Sequence, residues 1–395
     1  MPDYTCERCL KEFSQKSHYD KHRRRKTPCD NNTNKMKQLE DEIILLKTKI
    51  KYFEDNIQQI VEKTIETKLN KPTTQEIVPK KVDKKTLIIE KKVDVEQKIQ
   101  KPFLKWVGGK TQIIDNVINK IPKKINNYYE LFLGGGSVLF AVLSLRKQGK
   151  IDIQGNIYAY DINESLIRVY KHVQNNKDVL FGHIQHYINE YDSLDGTEIN
   201  RKPTTLEEAK TSKESYYYWI REKYNKMDEK DSVERSALFM ILNKLCFRGM
   251  YREGPKGYNV PYGHYKTTPT IITREDLDVV SDLIQDVVFE CCGFDTSIKK
   301  SVKGDFVYMD PPYAPENANS FVGYVADGFN LDAHNRLFES IKKLKNKKIH
   351  FAMSNAKVDL VMDNFKDYQY EDIVARRAIN SKDPGSTTTE VIVYH

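Results

Sequence analysis

Asp310-Pro311-Pro312-Tyr313 lies directly behind the apolar run Phe306-Val307-Tyr308-Met309, so a carboxylate, bare carbonyls and an aromatic ring meet where a buried strand should end. Proline fixes φ and carries no N–H, and two in succession leave a loop rich in acceptors and poor in donors. Asp310 and a proline carbonyl can accept both hydrogens of an exocyclic amine, while Tyr313 offers a face on which an extruded planar base can rest. Such a trio suits attack by a poor amine nucleophile, whose lone pair leaves conjugation with its ring when both N–H groups are held. Asp-Pro also ends strands in ordinary turns, so the tetrapeptide takes its meaning from its surroundings.

Those surroundings lie upstream. Phe103-Leu104-Lys105-Trp106-Val107-Gly108-Gly109-Lys110 precedes a helix-like segment, Tyr129-Glu130-Leu131-Phe132-Leu133-Gly134-Gly135-Gly136-Ser137 reads as strand, glycine loop and helix start, and Ile157-Tyr158-Ala159-Tyr160-Asp161 is a second strand ending in an acid. Glycines at 134–136 let the backbone approach a ligand closely, and an acid at the end of the next strand can take both hydroxyls of a ribose, the arrangement of a nucleotide-like cofactor on an open α/β sheet. The glycine pattern is not GxGxxG, which disfavours hydride transfer. A mostly parallel sheet flanked by helices is expected, with strands near Tyr128 to Phe132, Ile157 to Tyr160, Val287 to Cys291, Phe306 to Met309, Ile349 to Met353 and Glu390 to Tyr394.

From about Lys101 to the C-terminus, the order and content of these motifs resemble the Dam-like DNA adenine-N6 methyltransferases, the α group of the D12 class. Asn243-Lys244-Leu245-Cys246-Phe247-Arg248-Gly249-Met250-Tyr251-Arg252, Gly257-Tyr258-Asn259-Val260-Pro261-Tyr262-Gly263, Ser354-Asn355 and the Arg376-Arg377 and Glu390–Tyr394 ending also match. The resemblance implies a Rossmann-like S-adenosylmethionine-dependent methyltransferase sheet over 102–395, with a mostly helical target-recognition region inserted at 176–270. It places Trp106, Lys110, Phe132, Gly134, Gly136, Asp161, Phe294 and Asp310 around S-adenosylmethionine, and Asp310, Pro311, Pro312 and Tyr313 at the methyl transfer to N6 of a flipped adenine. Lys105 and Arg252 become base or phosphate contacts on double-stranded DNA, and Phe247 a wedge where the adenine leaves. Relatives that read GATC usually carry Asn where this chain has Arg248, so the recognised word does not carry over. The alternatives are cytosine-N4 methylation, which uses the same physics, and a DNA-binding protein with an inactive methylase domain, which the intact Asp310, Tyr313, Trp106, Lys110 and Asp161 disfavour. RNA or protein-glutamine methylases usually place Asn before the Pro-Pro-Tyr.

With 395 residues, 39% hydrophobic, the chain has room for such a core plus smaller modules. It shows no signal peptide and no apolar run long enough to cross a bilayer, and its six cysteines form no secreted framework, so an intracellular protein of cytoplasm or nucleus is expected. The net charge is +8, and residues 1–100 hold 23 basic against 17 acidic side chains, which concentrates the positive excess near the N-terminus.

Within 1–32, Cys6 and Cys9, Phe13, and His22 across a twelve-residue gap from Cys9 follow the pattern of a ββα zinc finger of C2H2 type. The last ligand departs from that pattern: Cys29 takes its place at a longer gap, giving a CCHC-like Zn2+ site of Cys6, Cys9, His22 and Cys29, with His18 a competitor one turn before His22. So short a segment hardly folds without a staple. Over 36–70, Leu39, Ile43, Leu46, Ile50, Phe53, Ile57 and Ile60 alternate in steps of four and three, with isoleucine at a, as in parallel two-stranded coiled coils, so a homodimer is expected. A Lys-rich linker over 71–101 joins this to the catalytic part. A zinc finger joined to a bacterial-type methylase in a Lys- and Asn-rich chain suggests a large DNA virus or a microbial eukaryote.

Overall fold

The computed structural model describes residues 4–6, 12–24, 99–315, 329–376 and 387–395. The chain divides into two compact units, Met1–Lys91 and Lys92–His395.

The larger unit is built on a seven-stranded sheet: β1 (Tyr128–Glu130), β2 (Ile157–Asp161), β3 (Val287–Cys291), β4 (Phe306–Met309), β5 (His350–Ala356), β6 (Gln369–Arg376) and β7 (Thr387–Tyr394), in spatial order β6-β7-β5-β4-β1-β2-β3. Pairings from β5 through β4 and β1 to β2 and β3 are parallel, whereas β7 runs antiparallel to both β5 and β6. The expected mostly parallel sheet is therefore present, closed at one edge by an antiparallel ribbon. Strand β6 was not among the strands expected. Its sequence, Gln369-Tyr370-Glu371-Asp372-Ile373-Val374-Ala375-Arg376, is polar enough to pass for a loop, as an edge strand beyond the buried core can be.

Alternation along the strands divides the core into two layers. Tyr128, Ile157, Ala159, Phe306, Tyr308 and Ala352 face one side and pack with helices α1 (Ser137–Lys147), α2 (Glu164–Asn175) and, further along the chain, Arg274–Leu283. Tyr129, Leu131, Tyr160, Val307, Met309, Phe351 and Met353 face the other side, with Leu337, Phe338 and Ile341 of α3 (Leu331–Asn346) and with Val361 and Phe365. Central β4 is buried on both faces, which is why it reads as an unbroken apolar run. The parallel pairing also brings the C-terminal ends of β1, β2 and β4 to the same edge of the sheet, where ligands of open α/β sheets bind.

Between β2 and β3 the chain forms a helical insertion. Lys177–Asp192, Lys213–Lys226 and Val233–Leu245 pack through Tyr187, Tyr191, Tyr216, Tyr217 and Tyr224, all buried, and lead into a two-stranded hairpin of Glu253–Gly254 with Gly257–Tyr258.

In the smaller unit, Tyr4–Thr5 pairs antiparallel with Glu12–Phe13, and helix Lys16–Arg23 follows, so the described residues run in ββα order. Phe13 lies 4.9 Å from the His22 ring and 6.1 Å from Tyr19, and Cys6 and His22 are buried. Cys9 and Cys29 lie outside the described residues, as do the heptad segment 36–70 and nearly all of the linker. Among the described residues no cluster of three His, Cys, Asp or Glu side chains is placed to hold a metal, and no helix is long and apolar enough to cross a membrane.

Candidate active site

The turn after β4 is anchored at four points. Asp310 Oδ2 receives Lys110 Nζ at 2.7 Å, the Pro312 carbonyl lies 3.1 Å from His334 Nε2, the Tyr313 hydroxyl donates to Glu390 Oε2 at 2.7 Å, and the Ala314 N–H donates to Asn355 Oδ1 at 3.0 Å. These anchors leave Asp310 Oδ1 buried with no hydrogen-bond partner. An orphaned acceptor costs about 1–3 kcal/mol, and here it sits on the one carboxylate of the turn. Burial raises the Asp310 pKa, Lys110 works against that rise, and the Glu390 charge adds to it. Lys110 is itself fixed. Its Nζ donates to the Gly108 carbonyl at 2.6 Å, its N–H donates to Ser137 Oγ at 3.0 Å, and its ammonium lies 5.0 Å from the centre of the Tyr313 ring.

Behind Asp310, Glu130 at the end of β1 is 2% exposed and accepts a 2.8 Å hydrogen bond from the Tyr128 hydroxyl. Burial pushes its pKa from the usual 4.5 up to about 8, helped by the Asp310 charge and opposed by the Tyr128 bond.

The glycine loop meets Trp106. Gly134 has φ +49°, and a Cβ there would stand 2.8 Å from Trp106 Cδ1, so both its conformation and the indole exclude a side chain. Gly136, at φ +71°, begins α1 against the Tyr170 hydroxyl. Asp161 holds the loop from β2, its Oδ2 accepting from Gly134 N–H and its Oδ1 from Asn163 N–H, both at 2.9 Å. Burial raises its pKa against these bonds. Trp106 also stacks on Tyr251 at 5.7 Å, while Phe132 stacks on Phe294 at 5.8 Å. Phe294 is 6% exposed, and Phe329 packs against both of these rings. Trp106, Gly134, Gly136 and Asp161 thus converge on one end of the sheet, as do Lys110, Asp310 and Tyr313.

Lys105 is held by the insertion. Asn243 clamps its backbone in both directions, at 2.9 and 2.7 Å, and its Nζ donates to the Lys244 carbonyl and to the Tyr265 hydroxyl. Phe247 is 42% exposed, its N–H bonded to the Pro261 carbonyl at 2.9 Å, so the Phe247 segment pairs with 261–263. Arg248 follows in the left-handed region at φ 55°, with its guanidinium 5.2 Å from the Phe247 ring. Arg252 donates to both the side chain and the backbone carbonyl of Asn259.

Several residues of this constellation were not singled out from the sequence. Glu130 and Glu390 stand inside motifs that were noted, yet nothing local tells a buried acid from a solvated one. His334 lies in a helix whose pattern reads as amphipathic and polar. Asn243 and Asn355 also stand inside motifs that were noted, but their partners lie 138 and 41 residues away.

An open α/β sheet carrying a glycine loop, an acid at the next strand end and an acceptor-rich aromatic turn defines a group-transfer enzyme with a nucleotide-like cofactor. The family model described as D12 class N6 adenine-specific DNA methyltransferase matches residues 106–379, and the chain belongs to that family. The type II methyltransferase M.MjaIII of Methanocaldococcus jannaschii is 38% identical over 291 residues, 71% of this chain and 93% of that protein. The type II methyltransferase M1.LlaDCHI of Lactococcus lactis subsp. cremoris is 30% identical over 74% of this chain and 94% of its own length, and the DNA adenine methylase of Haemophilus influenzae is 30% identical over 73% and 92%. The enzyme is a site-specific adenine-N6 DNA methyltransferase, which sets the cytosine-N4 alternative aside.

Proposed function

We propose that Asp310 Oδ1 and the Pro311 carbonyl accept the two N6 hydrogens of a flipped adenine that stacks on Tyr313. The observation that carries this is the buried, unpartnered Asp310 Oδ1, held in place through its other oxygen by Lys110. The Pro312 carbonyl faces His334, which leaves that of Pro311 as the second acceptor. As positive charge develops on N6, both acceptors strengthen their bonds, and because the four anchors have already fixed the turn, no reorganisation is needed. Orientation of this kind can supply about 7–11 kcal/mol of a barrier.

S-adenosylmethionine is the methyl donor expected of the family, and when bound it supplies an electrophilic methyl on a sulfonium. The residues present suit it. Asp161 has a carboxylate at the strand end for ribose hydroxyls, the Gly134–Gly136 loop has no side chain to obstruct a ligand, and Trp106, Lys110, Phe132, Phe294 and Asp310 border the same edge. On the DNA side, Lys105 and Arg252 contact phosphate or base, Phe247 fills the space the adenine vacates, and Arg248 reads the bases beside it.

At the N-terminus, the ββα order with buried Cys6 and His22 supports a zinc finger completed by Cys9 and Cys29, and the heptads of 36–70 support a homodimer. The central assignment is tested by Asp310→Ala with methyl-labelled S-adenosylmethionine and duplex DNA. Transfer should be lost while the circular dichroism stays native, and a rate within about tenfold of wild type would reject Asp310 as the essential acceptor.

A further inference from the structure

Tyr313 is held from two directions, through its hydroxyl by Glu390 and over its face by Lys110. Glu390 lies on β7, in register with Ala356 of β5, and so beside Asn355, whose side chain holds the next residue of the turn, Ala314. The carboxylate thus reaches the turn across the end of β5.

We propose that Glu390 is a positioning residue for methyl transfer, fixing the plane of the Tyr313 ring so that the flipped adenine meets a preset face. This rests on Tyr313 being the stacking platform.

Three observations support it. Strand β7 is paired with β6 along Thr387–Tyr394 and with β5 over most of that length, so it has no need of Tyr313 to stay in the sheet. Tyr313, by contrast, follows the end of β4 and two prolines that cannot donate, so its ring owes its orientation to side-chain contacts. A hydroxyl donating to a carboxylate makes a charge-assisted bond, stronger than a neutral one. Burial, then the charges of Asp310 and Glu390, push the phenol's pKa well above its usual value, so it remains a donor at neutral pH.

The test compares full-length Glu390→Ala, Glu390→Gln, Tyr313→Phe, Tyr313→Ala and the double variant Tyr313→Phe/Glu390→Ala in single-turnover methylation of a duplex. Binding of S-adenosylmethionine and DNA is measured separately. Glu390→Ala and Tyr313→Phe should each slow the methyl-transfer step about tenfold, as loss of one hydrogen bond to a charged group would, with both dissociation constants nearly unchanged. The double variant should be no slower than either single one, since both remove the same bond. Glu390→Gln keeps an acceptor and should recover most of the rate. With 2-aminopurine at the target position, the flipped base should be less quenched in Glu390→Ala than in wild type. Multiplying effects in the double variant, or a wild-type rate in Glu390→Ala beside a slow Tyr313→Ala, would overturn the positioning role. A wild-type rate in Tyr313→Ala would instead reject Tyr313 as the platform, and a lowered melting temperature with an unchanged rate would make the contact purely structural.

Discussion

At neutral pH Glu130 should remain a neutral acid inside the fold and become a carboxylate when the chain unfolds, and Glu130→Gln isolates that difference. Burial raises its pKa from 4.5 to about 8 in the folded state, while the unfolded chain keeps the ordinary value. A carboxyl that binds its proton more tightly when folded contributes its full stabilisation below the unfolded pKa, and that contribution is lost as pH rises through the folded one. The window is therefore about pH 4.5 to 8. Within it, stability should fall by about 1.4 kcal/mol per pH unit from this residue alone, to at most about 5 kcal/mol. Set against a typical total of about 5–15 kcal/mol, that is a large fraction. Glutamine keeps the size and an acceptor for the Tyr128 hydroxyl but cannot ionise.

Urea unfolding followed by tryptophan fluorescence suits the measurement, because both tryptophans, Trp106 and Trp219, belong to the larger unit. The glutamine variant should match wild type near pH 4, gain on it steadily toward pH 8 and hold a constant lead above that. Asp161 also has a raised pKa, but it acts in both proteins and cancels in the difference. In an Asp310→Asn background the negative charge that helps raise Glu130 is gone, so the lead should level off at lower pH. A lead that does not vary between pH 5 and 9 would mean that Glu130 ionises inside the fold as readily as outside it, and the account of a neutral buried acid would be wrong.

Other outcomes follow from the same geometry. Lys110 opposes the burial that raises the Asp310 pKa, so Lys110→Met should move the acid limb of the single-turnover rate profile to higher pH, and an unmoved limb would separate Lys110 from Asp310 in the working enzyme. Arg248 sits at φ 55°, a conformation that costs most side chains about 1 kcal/mol, so Arg248→Asn should be more stable to unfolding than Arg248→Ala by about that much, since both give up the Phe247 contact and only asparagine relieves the strain. If Arg248 reads a base, Arg248→Ala should relax the methylated word at one position by roughly 1–3 kcal/mol, and if it holds a phosphate, all sequences should weaken alike with a shallower salt slope; no change in word, affinity or salt dependence would place it in solvent. A fragment from Lys101 onward should methylate DNA in the presence of a chelator, which in the full chain should unfold only the proposed N-terminal finger, and light scattering should give a dimer for the full chain but a monomer for the fragment. A monomeric full chain would refute the coiled-coil dimer.

The make-up of the turn was legible because it is local: a carboxylate, two residues without N–H groups and a phenol stand side by side in Asp310–Tyr313, and an unbroken apolar run announces the buried strand that carries them. Strand β4 was legible for the same reason, since burial on both faces leaves a continuous signature, whereas polar β6 at the sheet edge carries none. The contacts that hold the turn are not local at all. Glu390 reaches Tyr313 over a separation of 77 residues, and Asn355 reaches Ala314 over 41, through the antiparallel register of β7 on β5. In the sequence Glu390 is one polar residue opening a strand, indistinguishable from an outward-facing one, and Arg248 gives no sign that it must adopt φ 55°. The groups proposed to react and those proposed to orient them are thus encoded differently: the former by neighbours in the chain, the latter by strand register. Substitutions at Glu390 or Asn355 should therefore impair orientation while leaving the motif intact, so an intact Asp-Pro-Pro-Tyr does not by itself establish an active enzyme.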